Sequence, residues 1–448
     1  LNAPVGSDDF IISLYDQPQQ SGETAPVGNE LGQVEMVQSI KAGQTNVVSA
    51  TVNGIAAKVV IAPLANQSFV TATGTASAPS YTIAGQNGAT FSLTALDADG
   101  NAIVGTGITP VVSLRASANT SNWSVLPVSA EPSRFTVVAT APSGSSGGST
   151  LIAQATDAMG DTVSLNVPVS EIGEVYVSYP SASGSKIAAY DTNGTPIALP
   201  SGAFGGLQNP VSMLYDAVDQ QVLVADSSLG EVLAFDPQGN PKAGFTPIAL
   251  PNVNSVTIDN FADHIVASSD TSGVFAAMNS GQLLSDPYLT QPFSITTGAG
   301  ILYYPVPPNA FRGNELLVAD TSQQQLDVYS SIGNPTFGWP QTYVLSTPAG
   351  TPGAMATDGQ AVYVSGSASG SGTLWEIPIN SGVSTSVNDP GVPAGIAYDS
   401  LTNELFVAES ADNQVSAYKP GLIADPSHTF STPSSLGLSS PQGITIAY

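Results

Sequence analysis

A chain of 448 residues with 8 basic and 34 acidic side chains has a formal net charge of −26, and it contains no cysteine. That balance argues against nucleic acid or anionic membrane as partners, and the absence of thiols excludes disulfides, thiolate zinc sites and lipid attachment to an N-terminal Cys. Only 9% of the residues are charged, against roughly 25% in an average globular protein, so the exposed faces must be neutral and polar.

The length predicts two or three domains. No run reaches the ~18 to 20 apolar residues that span a bilayer, so no membrane span is expected. The chain starts at Leu1 rather than Met. That start fits a removed leader or a sequence that is part of a longer one, and with the Ser/Thr-rich, Lys-poor composition the expectation is a secreted, extracellular or cell-surface protein.

Residues 1–9 are polar and aperiodic and read as a tail. The segment Phe10, Ile11, Ile12, Ser13, Leu14, Tyr15 and Asp16 reads as a strand. Two alternating runs flank Asn53-Gly54, a pair that favours the positive-φ turn of a tight hairpin, so residues 10–69 read as a small β module or half-sandwich. From Tyr81 onward, short strands with turn signals every 8 to 12 residues predict an antiparallel sandwich over 70–170. The segment FSLTALDADGNAIVG from Phe91 resembles the bacterial immunoglobulin-like domains of surface proteins.

Beyond Pro168–Gly173, the expected boundary, six apolar hairpins recur, starting at Glu174, Gln221, His264, Glu315, Ala361 and Glu404. Equivalent points at Ser178, Asp226, Ser268, Asp320, Ser365 and Glu409 lie 42 to 52 residues apart, a period of four-stranded propeller blades. A further strand precedes five of the hairpins, at Pro210, Asn254, Pro292, Pro352 and Pro393. The first hairpin lacks one, and the strand Pro441–Tyr448 lacks a hairpin. Pairing the two leftovers predicts an all-β protein in which the sandwich modules precede a six-bladed β-propeller, residues 174–448, closed by the C-terminal strand.

The run of Pro, a small residue, Ile-Ala, Tyr-Asp, a turn and Leu-Phe-Val-Ala-Glu at 393–420, with its counterpart at 210–237, resembles the NHL-repeat propellers and, more loosely, the gluconolactonase-like ones. That resemblance implies the fold. In its enzymes, metal ligands sit on the innermost strands, where this chain offers Ser212, Thr257, Ser294, Ala354, Gly395 and Ile444, residues poor in ligand chemistry. Asp216, Asp259, Asp358 and Asp399 recur at strand ends, where an Asp caps a turn through its side chain or, alternatively, lines a cation site at the channel mouth.

His264 and His428 are the only histidines, neither beside a nucleophile motif, and both read as surface or packing residues. Asp97, Asp99 and Asn101 alternate like the first half of a calcium loop but lack the later bidentate Glu. A hairpin turn is the plainer reading, and calcium is the one cofactor these residues would suit. Asn66, Asn119, Asn122 and Asn193 stand in glycosylation sequons.

The leading functional expectation is a non-enzymatic structural or adhesive protein that polymerises with other copies of itself by strand addition through Phe10–Asp16, although that strand could instead pair within its own sandwich. The alternatives are a metal-dependent propeller lyase or lactonase and a glycan-binding module that stacks sugar on Trp123, Trp339 or Trp375.

Overall fold

The computed structural model describes residues 5–17, 28–47, 49–50, 52–85, 88–104, 108–115, 122–129, 131–140, 148–158, 160–181, 185–259, 264–269, 273–278, 280–282, 298–304, 315–330, 341–345, 351–368, 371–378, 384–432 and 438–448. Its regular elements are all β-strands. The chain divides into two units, Leu1–Ala141 with Ser146–Glu171, and Ile172–Tyr448 with Pro142–Ser145.

In the first unit, β1 (Gly6–Tyr15) and β2 (Glu30–Ile40) form a long antiparallel hairpin with Phe10 opposite Met36, Ile12 opposite Val34 and Leu14 opposite Gly32. The short strand β3 (Asn53–Gly54) adds to the other side of β2. The expected Asn53-Gly54 hairpin turn is therefore corrected: neither residue has a positive φ, and both lie extended against Gln33 and Gly32. Glycine is needed at 54 for a different reason, because a Cβ there would sit 2.7 Å from Ile103 Cγ2.

Two sheets pack over one core in the rest of this unit. The first runs Lys58–Pro63, Ala89–Leu96, Arg134–Ala139, Trp123–Pro127 in spatial order; the second runs Val70–Thr75, Ala78–Ala84, Thr162–Ile172, Ser149–Thr156, Thr109–Leu114. Strict alternation dictates the packing: Ala89, Phe91, Leu93 and Ala95 point inward while Thr90, Ser92 and Thr94 do not, as the two-residue period of a strand requires. Phe91, Ile83, Val137, Leu151 and Val167 are fully buried in this core, each worth roughly 1.5–3 kcal/mol of apolar transfer.

The second unit is propeller-like. Six consecutive sheets begin with the inner strands Pro210–Asp216, Val253–Asp259, Gly298–Tyr304, Thr351–Thr357 and Pro393–Asp399, while the C-terminal strand Ile444–Ala447 pairs with Glu174–Tyr179 in the remaining sheet. Each sheet is four-stranded except that of Val253–Asp259, in which three strands are described. The inner strand before Glu315–Asp320 is Gly298–Tyr304, which corrects the expected strand at Pro292. That segment lies outside the described residues. Within this strand glycine is needed at 300, where a Cβ would lie 2.2 Å from Gly353 O.

Each inner strand packs beside the next, and Ile444–Ala447 touches both Pro210–Asp216 and Pro393–Asp399. Apolar clusters fill the gaps between successive sheets. Phe406, Val415 and Phe430 of one sheet share a core with Val175, Tyr190 and Ile446 of the neighbouring one. The last residue fixes this junction: Tyr448 OH donates to Asp399 Oδ1 at 2.9 Å and accepts the Ser400 N–H at 2.8 Å. Replacing Tyr448 by Phe should cost about 1–3 kcal/mol in urea unfolding, because the buried Asp399 carboxylate loses a donor. Deleting 441–448 should cost far more by baring the edge of Glu174–Tyr179.

Candidate functional site

Three places bring chemistry together: the central cavity of the second unit, the carboxylates around its strand ends, and the arm formed by β1 and β2. The cavity, about 610 Å³, is lined by residues of all six inner strands. These strands converge closely, and in five of them a register shift interrupts pairing with the next strand of the sheet. Such bulges leave backbone groups that need other partners.

Hydroxyls of neighbouring sheets supply them. The Val256 N–H donates to Ser212 Oγ (3.4 Å), Ile301 N–H to Ser255 Oγ (3.2 Å), Tyr303 N–H to Thr257 Oγ1 (3.1 Å) and Tyr215 N–H to Thr445 Oγ1 (2.8 Å). Ser178 Oγ accepts from Gly443 N–H and donates to Pro210 O, at 2.8 and 2.9 Å. Ser212 and Thr257, two expected inner-strand positions, thus act as staples between sheets. Ala354, Gly395 and Ile444 line the cavity without ligand chemistry, and Ser294 lies outside the described residues.

Among the lining residues Asp216 alone bears an ionisable carboxylate, and it serves its own turn, accepting Val218 N–H (3.0 Å) and Gln221 Nε2–H (2.9 Å). Burial raises its pKa. Asp358 likewise accepts the Gln360 and Ala361 N–H groups, both at 2.7 Å, and Asp399 accepts Leu401 N–H at 2.9 Å. Asp259 is buried in register with His264. The repeat carboxylate Asp226, fully buried, accepts from the N–H groups of Gln208, Asn209, Ser228 and Leu229 and so ties two loops together.

Asp97, Asp99 and Asn101 form a turn in which the Asp99 and Asn101 N–H groups donate to Asp97 Oδ1 at 3.0 and 2.8 Å. The Asn101 N–H is the main cause holding the Asp97 carboxyl below its ordinary pKa. Asn101 Nδ2 also donates to Asp97, and Asn29 Nδ2 donates to Asp99 Oδ1, so donors stand on the atoms a calcium ion would need. Asp191 to Thr195 and Asp236 to Asn240 build the same turn, closed by a positive-φ glycine such as Gly194.

Asn66 and Asn193 are exposed and Asn122 is half-buried, while Asn119 lies outside the described residues. Trp123 and Trp375 are 4% and 0% exposed inside apolar cores, as core packing rather than the alternative of sugar stacking requires; Trp339 lies outside the described residues. Among the described residues, one group of candidate metal ligands occurs, Glu404, Asp425 and His428. Sequence reading passed over it. Its signal was a Glu at the strand position where Gln221 stands in another sheet, with Asp-Pro-Ser-His downstream.

The arm carries Phe10–Asp16. Phe10, Ile12 and Leu14 share one face with Val34 and Met36, and Ile12 and Leu14 are 38% and 56% exposed. Asp16 ends the strand by accepting the Asn29 N–H at 2.8 Å. Among the described residues the outer edge of β1 pairs with no strand.

A buried acid pair joins two sheets of the second unit. Burial pushes Glu409 up to about 7 and also raises Asp389, to which Glu409 is hydrogen-bonded; Tyr418 OH and Gln414 Nε2 donate to them. A carboxyl whose folded pKa exceeds its unfolded value binds extra proton in the folded state. Its stabilisation is full below about 4.5 and lost as pH rises through about 7. The thermal midpoint of this unit should therefore fall across that window, and Glu409→Gln should flatten the fall.

No protein-family model matches the sequence, and no curated protein matches it. Solved structures do match. A nidogen/laminin complex is 14% identical, covering 62% of this chain and 98% of that one with a TM-score of 0.48. An auxiliary nutrient binding protein from Bacteroides thetaiotaomicron is 12% identical, covering 81% and 90% with a TM-score of 0.40. A streptogramin B lyase is 11% identical, covering 76% and 91% with a TM-score of 0.31.

Proposed function

We propose that this chain is a non-enzymatic extracellular structural protein that assembles with copies of itself, its immunoglobulin-like sandwich followed by an NHL-like six-bladed propeller closed by the C-terminal strand. The pairing of Ile444–Ala447 with Glu174–Tyr179 and the packing of successive inner strands support the closed ring. The small share of charged residues, 9%, supports a crowded extracellular setting.

The observation that carries the assembly reading is the arm. β3 adds only two residues to the far side of β2, so most of the arm is a two-stranded ribbon, at best marginally stable in water by itself, and its ten-residue β1 has an apolar face that leaves Ile12 and Leu14 exposed. A free antiparallel edge on such a ribbon suits strand addition, where backbone hydrogen bonds supply affinity and apolar side chains set register. A second copy is the matching occupant because it brings the same edge and the same apolar face, the self-complementarity that a two-fold contact needs. The cavity offers an assembling protein its rigidity rather than chemistry, since its hydroxyls hold neighbouring backbones together.

Light scattering and electron microscopy of the full chain test this reading. The unaltered protein should form oligomers or filaments, whereas deletion of residues 1–20, or Ile12→Lys with Leu14→Lys, should give folded monomers with an unchanged thermal midpoint for the second unit. A monomeric parent protein, or assembly unaffected by these changes, would refute the proposal.

A further inference from the structure

We infer that Glu404, Asp425 and His428 form a binding site for one divalent first-row transition-metal ion, of the class of Zn²⁺ or Mn²⁺. The three side chains belong to the last complete sheet, with Glu404 opening the strand Glu404–Glu409 and the other two on Ile423–Ser431, and none of them lines the central cavity. The inference is independent of the assembly reading.

Their spacing suits an ion. His428 Nδ1 lies 2.7 Å from Glu404 Oε2 and 3.9 Å from Asp425 Oδ2, and the three ligand atoms fall within 4.8 Å of one another. Ligands at about 2.0–2.2 Å from a zinc ion stand roughly 3 to 4 Å apart, so Asp425 and His428 already match and Glu404 and His428 would open slightly to admit the ion. One imidazole with two carboxylates is a donor set for borderline and harder divalent metals, whereas thiolate-seeking ions would prefer sulfur.

Glu404 points to a ligand more directly. Its side chain is 2% exposed, and its Oε2 lies 2.7 Å from His428 Nδ1, an ion pair when the ring is protonated, but it receives no hydrogen bond of good geometry. A buried carboxylate oxygen that lacks a well-aligned donor is left with a lone pair that a metal ion could take. A buried glutamate is costly without a counter-charge, and an ion would provide one.

The cluster differs from the equivalent place in another sheet. In the sheet that begins at Pro210, the residue in register with the strand-end Asp216 is Gln221, whose amide donates to it at 2.9 Å. In the last sheet the residue in register with Asp399 is Glu404, which when ionised has no proton to donate. The strand carrying the other two ligands also skips register, with Ala417 opposite Asp425 but Val415 opposite Phe430. The extra residues form a loop that brings His428 back over Asp425. Ser427 N–H holds Asp425 Oδ1 at 2.9 Å, leaving Oδ2 directed at the cluster.

Lys419 Nζ sits on Asp425 Oδ2 at the end of a side chain that is 57% exposed. It neutralises the carboxylate when no metal is bound and can move into water as an ion arrives. His428, 28% exposed, leaves the approach open, and water would complete the coordination shell.

The test uses the full chain, freed of metal with chelator and titrated with ZnCl₂ by calorimetry and differential scanning. One ion per chain should bind, and the midpoint of the second unit should rise by about 5 °C at a hundredfold excess over Kd. Glu404→Gln and His428→Gln should abolish both effects, and Lys419→Met should tighten binding. If Glu404→Gln fails to fold, His428→Gln alone decides, because its ring lies towards solvent. Absence of stoichiometric binding would overturn the inference. So would binding unchanged in His428→Gln, since that is diffuse cation uptake by a chain of charge −26.

Discussion

Where six sheets converge on one cavity, the inner strands come too close for large side chains and leave backbone groups that their own sheets cannot satisfy. Small hydroxylated residues solve both problems. Ser212, Ser255, Thr257 and Thr445 each fit the crowded centre and accept an N–H from the next sheet, and Gly300 and Gly395 allow backbone approaches that any Cβ would block. The rest of the second unit depends on this inner shell, because the apolar layers between sheets align only if the inner strands stay in register.

The same constraint shapes what the molecule can do. A cavity whose hydroxyls are engaged by backbone donors, and whose carboxylate Asp216 caps a turn, is built as a hub. Carboxylates cluster where strands end, and most are satisfied by backbone N–H groups, as Asp226 is by four residues at once. Two glutamates among the described residues are placed differently: Glu409, paired with Asp389 and pushed up to about 7 by burial, and Glu404, beside Asp425 and His428.

The first unit divides its labour differently. Its sandwich is self-sufficient, with Phe91, Ile83 and Leu151 closing a continuous core, whereas the arm has one apolar face and a free edge. Burial is complete in one and unfinished in the other, which is why a partner is proposed for the arm and not for the sandwich.

The sequence by itself determined what is local and periodic. Two-residue alternation placed the strands around Phe91 and Leu151, and the 42 to 52 residue period marked the hairpins of the second unit. The unpaired strand at its C-terminus identified the partner of Glu174–Tyr179, because a strand pattern depends on neighbours only through its two faces. Choices made by contact were decided by the tertiary structure alone. Asn53-Gly54 carries a turn signal, yet packing against Ile103 and pairing with β2 hold it extended, and Gly298–Tyr304 takes the inner position expected for the Pro292 segment. Serines and threonines read as inert are the staples of the ring, and His428, read as incidental, meets a glutamate 24 residues earlier in the chain. No spacing rule encodes those meetings, since they arise only when a register shift and a sheet bring distant residues to one point.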